Sequence, residues 1–174
     1  MKKTLVTVLS VFTVLFSFSQ TIPSDKIYKH IGEIIQVKVI KVGEYVITFK
    51  YPNEDAKQTI GKLAVEKIEY GSGRFEKISD KVEINGKDDW EKVQIIIEER
   101  SILGLRKGDE ISGKTSSWAN YNTQSGADKK STKHIKQAAA EYNAPYVLIT
   151  FDKNSSNGSW VSQGYKRGVI YTYN

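Results

Sequence analysis

Between residues 26 and 79, apolar and polar positions alternate with a period of two, the pattern of strands with one face buried. A short run at 26–29 meets a turn at Gly32, and 34–42 then alternates with period two, with Val37 and Val39 facing inward and Ile35 as a third candidate for that face. Gly43 and Glu44 turn the chain into a second alternating run at 45–51. Pro52, Asn53, Glu54 and Asp55 form a loop, and 59–60 and 67–70 read as further strands on either side of a short turn. A tight turn over Gly71, Ser72, Gly73 and Arg74 leads into 75–78. Four or five short strands with little helix predict a small, curled antiparallel β module over 20–81.

The period changes further along. Residues 93–97 form an apolar run, 98–107 show no clear period, and 109–115 alternate again. Between 127 and 142 the spacing is helical. Ala127, Ser131, Ile135, Ala138, Ala139 and Tyr142 share one face, while Lys129, Lys130, Lys133, Lys136 and Glu141 point away. Ser125 is placed as N-cap, with Asp128 completing a capping box, and Asn143 and Pro145 end the helix. Its apolar face is made mostly of small side chains, which let a helix lie close upon a sheet. A strand at 146–151, a loop at 152–163 and a closing strand at 165–173 complete the order β–β–α–β–β over 93–174. The fold class is therefore α+β, with one helix packed on a sheet. Residues 82–92 read as the linker between modules. They carry an Asn85-Gly86 turn, an acidic group of Asp88, Asp89 and Glu91, and Trp90 to seal the junction.

The first twenty residues change the picture of where the chain works. Lys2 and Lys3 precede an apolar core at 5–16, and Ser17 and Ser19 place small residues at the two positions a signal peptidase reads. Residues 1–19 are thus expected to be a signal peptide, too short and too rich in hydroxyls to span a membrane. The mature protein is expected in the periplasm or outside the cell, with no transmembrane span. There is no cysteine, which removes disulfides, thiolate zinc sites, thiol catalysis and a lipid-bearing Cys. The formal charge of +6 becomes +4 without Lys2 and Lys3. Positive charge clusters only on the outer helix face, with His134 beside the lysines. That pattern reads first as a solvated face and second as contact with anionic lipid or wall polymer. No aromatic residues interleave with these cations, so nucleic acid is not expected.

Two resemblances follow from particular residues. The Ile27-Tyr28 strand, 32–35, Val42-Gly43, the corner 51–55, 68–70 and the turn Ser72-Gly73-Arg74 resemble a small SH3/Sm-like β module of exported Gram-negative bacterial proteins. That resemblance implies binding or scaffolding and no activity. The stretch 108–113, the helix with Ala138 and Ala139, Asn143-Ala144, 147–149, and Gly164 with Gly168 and Ile170-Tyr171 resemble a second group. This is the fold of the Rcs-pathway outer-membrane stress-sensor lipoproteins and related exported domains. The lipid-bearing and disulfide cysteines of that family are missing here, so the resemblance implies the fold without the anchor or the sensor role.

The chemical motifs are few. Residues 108–115 match the P-loop pattern letter for letter, but Arg106 and Lys107 stand where a buried strand should lead in. Asp109 and Glu110 would face the phosphates, and a polar loop follows in place of a helix. Lys114 is expected on a strand with its head in water. The two histidines, His30 and His134, fall in different modules, with no partner the sequence suggests. Asp88, Asp89 and Glu91 lack the spacing of a calcium loop. No metal or cofactor is expected. The loops 116–124 and 154–163 each hold a Trp among Asn, Ser, Thr and Gln, a composition suited to packing a module edge or to stacking on a sugar or peptide. The helix connects the strands that precede these loops, and such crossovers usually join parallel neighbours. Both loops would then leave one edge of the sheet. The predicted site comprises Trp118, Asn120, Tyr121 and Trp160, with Tyr165 at its floor. The expected function is a non-catalytic binding protein of the cell envelope, its partner an envelope protein, a cell-wall polymer or a glycan. The competing reading is an envelope hydrolase acting on wall glycan or peptide.

Overall fold

The computed structural model describes residues 24–115, 124–156 and 162–173. The expected signal peptide at 1–19 lies outside them, and so do Trp118, Asn120, Tyr121 and Trp160. The fold is mixed α+β, mostly antiparallel, with one main helix.

Six strands form the first sheet: β1 (Asp25–Lys29), β2 (Ile34–Val42), β3 (Val46–Lys50), β4 (Gln58–Gly61), β5 (Val65–Glu69) and β6 (Phe75–Lys77). Their order is β4-β3-β2-β1-β5-β6, with every pairing antiparallel. That is one sheet of six where alternation suggested four or five strands. Val37 is fully buried on β2, with Ile35 and Val39 half-buried on the same face, as the alternation requires. The Asp25 carboxylate ties the sheet across its width, accepting from the Val39 N–H at 2.8 Å and the Gly71 N–H at 2.9 Å.

Four strands form the second sheet, in the order β7-β9-β10-β8: β7 (Gln94–Ile96), β8 (Arg106–Lys114), β9 (Tyr146–Ser156) and β10 (Ser162–Thr172). Helix α1 (Gln124–Glu141) lies between β8 and β9 in sequence, giving the order β–β–α–β–β. One face of this sheet packs on α1 through Ile111, Ile135, Ala139, Ala140, Ala144, Val147 and Ile170. The other face contributes Tyr146, Leu148, Val169 and Tyr171 to a core shared with Ile27, Val37, Ile47, Phe49, Ile60 and Ile68 of the first sheet. The molecule is thus layered sheet, sheet, helix.

The helix behaves as its small-residue face predicts, because the sheet beneath it carries glycines. A Cβ on Gly113 would stand 2.4 Å from the Ser131 carbonyl oxygen, and one on Gly164 would stand 2.5 Å from that of Ala127. Ala127, Ser131, Ile135 and Ala139 are fully buried. The helix is described from Gln124, the side chain of the expected cap Ser125 lies outside the described residues, and Asp128 pairs with Lys166 on β10 at 2.8 Å. One expectation at the far end is corrected. Tyr142 is 53% exposed, and Ala140 and Ala144 fill the space beneath the helix end. Asn143 does end the helix. It adopts φ 53°, and the Ala144 N–H reaches back to the Ala139 carbonyl at 3.1 Å while the Asn143 N–H bonds that of Ala140 at 2.9 Å. This is a Schellman motif with Asn in the left-handed position.

Residues 82–92 dock on the helix. The Asn143 side chain accepts from the Gly86 N–H at 2.9 Å, Ile84 is buried, and half-buried Trp90 lies under the Lys133 ammonium at 5.0 Å. The acidic group here is occupied locally, since Asp89 accepts from the Asn85 N–H and pairs with Lys92.

Candidate functional site

Strand β10 presents two chemically different faces. Gly164, Lys166, Gly168 and Ile170 point toward the helix, while Tyr165, Arg167, Val169 and Tyr171 point the other way. Val169 and Tyr171 are covered by the first sheet. Toward the other end of the strand the same face stays open: Arg167 is exposed and Tyr165 half-buried. In register, Lys114 of β8 and Lys153 of β9 flank Tyr165 on its two sides. Ser112 and Phe151 flank Arg167 in the same manner.

Directly opposed side chains on one face of a sheet are in contact range, and the distances agree. The Phe151 and Tyr165 rings lie 5.8 Å apart at a tilt of 59°, and the Arg167 guanidinium sits 5.1 Å from the centre of the Phe151 ring. Such a cation on an aromatic face is held by the ring quadrupole. Its other contact is a long one, 3.5 Å to Glu110. Lys114 and Lys153 are both exposed, and among the described residues neither has an ion-pair partner. The face therefore gathers two aromatic rings and three cations around a single carboxylate.

Beneath it, on the helix side, Lys166 is 6% exposed and paired with both Asp128 and Asp152. Burial acts to lower the pKa of this ammonium, but the hydrogen bonds to the two carboxylates prevail and raise it above the ordinary lysine value. Thr115, buried next to this cluster, accepts from the Gly164 N–H at 2.9 Å. These contacts fix the first turns of α1 to the carboxyl ends of β8 and β9.

The expected strand relationship is corrected in one respect. Strands β8 and β9 are parallel, because both pair antiparallel with β10, but they are not neighbours: β10 runs between them. Four of the five predicted site residues, Trp118, Asn120, Tyr121 and Trp160, lie outside the described residues. Of the five, Tyr165 is the one described, and it stands at the centre of the open face. Phe151, Lys153, Arg167 and Lys114 were not anticipated. Composition assigned 152–163 to a loop, whereas β9 continues to Ser156 and β10 starts at Ser162. The alternation of 151 with 153, and of 165 with 167, was the signal that could have placed them.

The P-loop lookalike is strand. Gly108 packs where a Cβ would meet Ile170 at 2.7 Å, Gly113 lies under the helix, and Lys114 is exposed on β8, as expected. No anion cradle forms, since the backbone groups of a strand do not converge on one point.

A second feature was missed. His30 lies 2.8 Å from the Ser79 hydroxyl, at a cleft of about 600 Å³ that Glu66, Phe75 and Lys81 also line. The pair has the composition of a nucleophile and its base, but the geometry is reversed. The Ser79 oxygen lies 2.8 Å from the Val65 carbonyl and 3.1 Å from that of Lys62, so its one hydrogen is directed to the main chain. His30 Nε2 must then donate to Ser79, leaving nothing there to accept a proton from the hydroxyl. Burial holds the His30 pKa below the ordinary value, with the Glu66 charge opposing that shift.

Among the described residues, no three His, Asp or Glu side chains gather as a metal site, and no helix is long and apolar enough to cross a membrane. No protein-family model, curated protein or solved structure matches the chain.

Proposed function

We propose that the protein is a non-catalytic binding protein of the bacterial envelope, exported by the segment 1–19, that holds a glycan or wall polymer on the open face of its second sheet. The observation that carries this reading is the Phe151–Tyr165 pair, partly exposed beside three cations on one face of a sheet. Partly exposed rings held on strands suit a partner with flat apolar faces and hydroxyl edges. Further support comes from the His30–Ser79 pair, whose hydrogen-bond directions favour structure over nucleophilic attack. The SH3/Sm-like reading of residues 20–81, and the stress-sensor-like reading of the rest, belong to this proposal as scaffolds for binding.

The test uses the mature chain and its Tyr165→Ala variant against a soluble envelope polysaccharide fraction, read by affinity electrophoresis. Retardation of the parent protein that weakens several-fold in Tyr165→Ala, with the polymer's length unchanged after long incubation, is the expected result. Shortening of the polymer would favour the envelope hydrolase. Absence of retardation would remove the proposed function.

A further inference from the structure

We infer that the ligand of this face is an acidic polysaccharide, a polymer of carboxylate-bearing sugars, lying across β8, β10 and β9. This deepens the proposed function and rests on it.

The charge layout selects the acid. Lys114, Tyr165 and Lys153 form one row across three strands, and Ser112, Arg167 and Phe151 form the next. Adjacent strands lie about 4.8 Å apart, which sets the two lysine backbones about 10 Å apart with the Tyr165 ring between them. Two like charges at that spacing, neither with an ion-pair partner among the described residues, gain most from a ligand that supplies anions on either side of a flat ring. A neutral sugar would satisfy the ring and leave the lysines solvated, gaining nothing from their placement.

Arg167 adds direction. Its guanidinium sits 5.1 Å from the centre of the Phe151 ring, and its planar fork matches a carboxylate by paired hydrogen bonds. The long 3.5 Å contact with Glu110 is one that a ligand carboxylate can displace. A chain of acidic sugars running across the strands would therefore place ring faces on Tyr165 and carboxylates on Lys114, Arg167 and Lys153. The polar side chains of the row, Ser112 among them, are suited to its hydroxyls.

Aromatic rings with cations on a sheet also serve single-stranded nucleic acid, and the experiment separates the two. The mature protein is titrated with polygalacturonate, a neutral glucan of similar length and a single-stranded oligonucleotide, at low and at moderate salt. The variants are Lys153→Gln and Arg167→Lys, with Lys133→Gln on the helix as the charge control. The expected result is binding of polygalacturonate well above that of the glucan, weakening as salt rises. Lys153→Gln and Arg167→Lys should each reduce it several-fold, and Lys133→Gln should leave it unchanged. Circular dichroism checks that each variant is folded. Equal or tighter binding of the neutral glucan, lost in Tyr165→Ala, would overturn the acidic ligand while leaving the proposed function in place. Tighter binding of the oligonucleotide would overturn the ligand class. An equal loss in Lys133→Gln would reduce the effect to overall charge and overturn the site. Binding of none of the three, with the envelope fraction still retained, would overturn this inference alone.

Discussion

Gly113 on β8 lies directly beneath Ser131 on α1, so close that a single added carbon would stand 2.4 Å from the Ser131 carbonyl oxygen and 2.6 Å from the Ile135 nitrogen. Both obstacles are backbone, so neither can swing aside. Gly113→Ala must lift the helix or bend the strand, and overpacking of that kind costs about 1–3 kcal/mol. Chemical denaturation should show a lower midpoint with little change of slope. A variant as stable as the parent would mean the helix does not sit as described.

The same glycine completes the sequence match to a phosphate loop, which yields a second expectation. Isothermal titration of the mature chain with Mg-ATP should give no saturable heat. Lys114 projects from a strand, and the Thr115 hydroxyl is engaged with the Gly164 backbone. Micromolar binding abolished by Lys114→Ala would reinstate the nucleotide reading.

How far the sequence discloses this fold depends on what each residue answers to. The strands of the first sheet are legible because one face is buried and the other wet, so that period two is written directly into 34–39 and 46–50. Asn143 is legible because a left-handed helix end has few tolerated residues. Gly113 reads as part of a phosphate-loop motif, yet it and Gly164 owe their places to a helix passing overhead, of which local sequence carries no trace. Residues 152–163, the outer part of the β9–β10 hairpin, are mostly polar in sequence and so read as loop. Ser79 lies 49 positions from His30, and no local pattern joins them. For the candidate face, Tyr165 was within reach of sequence. The register that sets Lys114, Lys153 and Phe151 around it was not, because pairing partners are fixed only by the assembled sheet.

His30 makes stability depend on pH near neutrality. Burial lowers its folded pKa below the unfolded value near 6.5, against the opposing charges of Glu66 and Asp80 and in concert with that of Lys81. The folded state then binds fewer protons than the unfolded chain, so this contribution is complete above pH 6.5 and is lost as pH falls through the folded pKa. The carboxylates held below their ordinary range, Glu69 by the Tyr28 hydroxyl first among them, titrate below this window. The melting temperature should fall between pH 7.5 and 5.5, and His30→Gln should flatten that slope. An unchanged slope in the variant would assign the dependence elsewhere.

Export is tested by mass. Ser17 and Ser19 occupy the small-residue positions, so cleavage is expected between Ser19 and Gln20. Intact-mass analysis of protein from its natural source should give a chain beginning at Gln20. A chain that still begins at Met1 would remove the export proposal, and with it the envelope as the place to look for a ligand.

Lys166 is the final test, because the position of the helix N-terminus depends on it. Its ammonium is nearly closed off from water and shared by Asp128 of α1 and Asp152 of β9, whose side chains remain 41% and 45% exposed. Lys166→Met keeps the apolar stem but withdraws the cation that Asp128 and Asp152 share. Losing one member of a buried cluster costs several kcal/mol, but water reaches both acids here, which reduces the expected penalty to about 1–2 kcal/mol. The remaining repulsion between Asp128 and Asp152 is open to screening, so the penalty should shrink as salt is raised from about 0.05 to 0.5 M. Adding Asp152→Asn to Lys166→Met should then recover part of the loss, since one of the two charges is gone. Denaturation midpoints for the two single variants and the double, at both salt concentrations, measure this coupling. A loss in Lys166→Met that ignores both salt and Asp152→Asn would mean that Lys166 holds the helix by packing its stem, with the two aspartates playing no part.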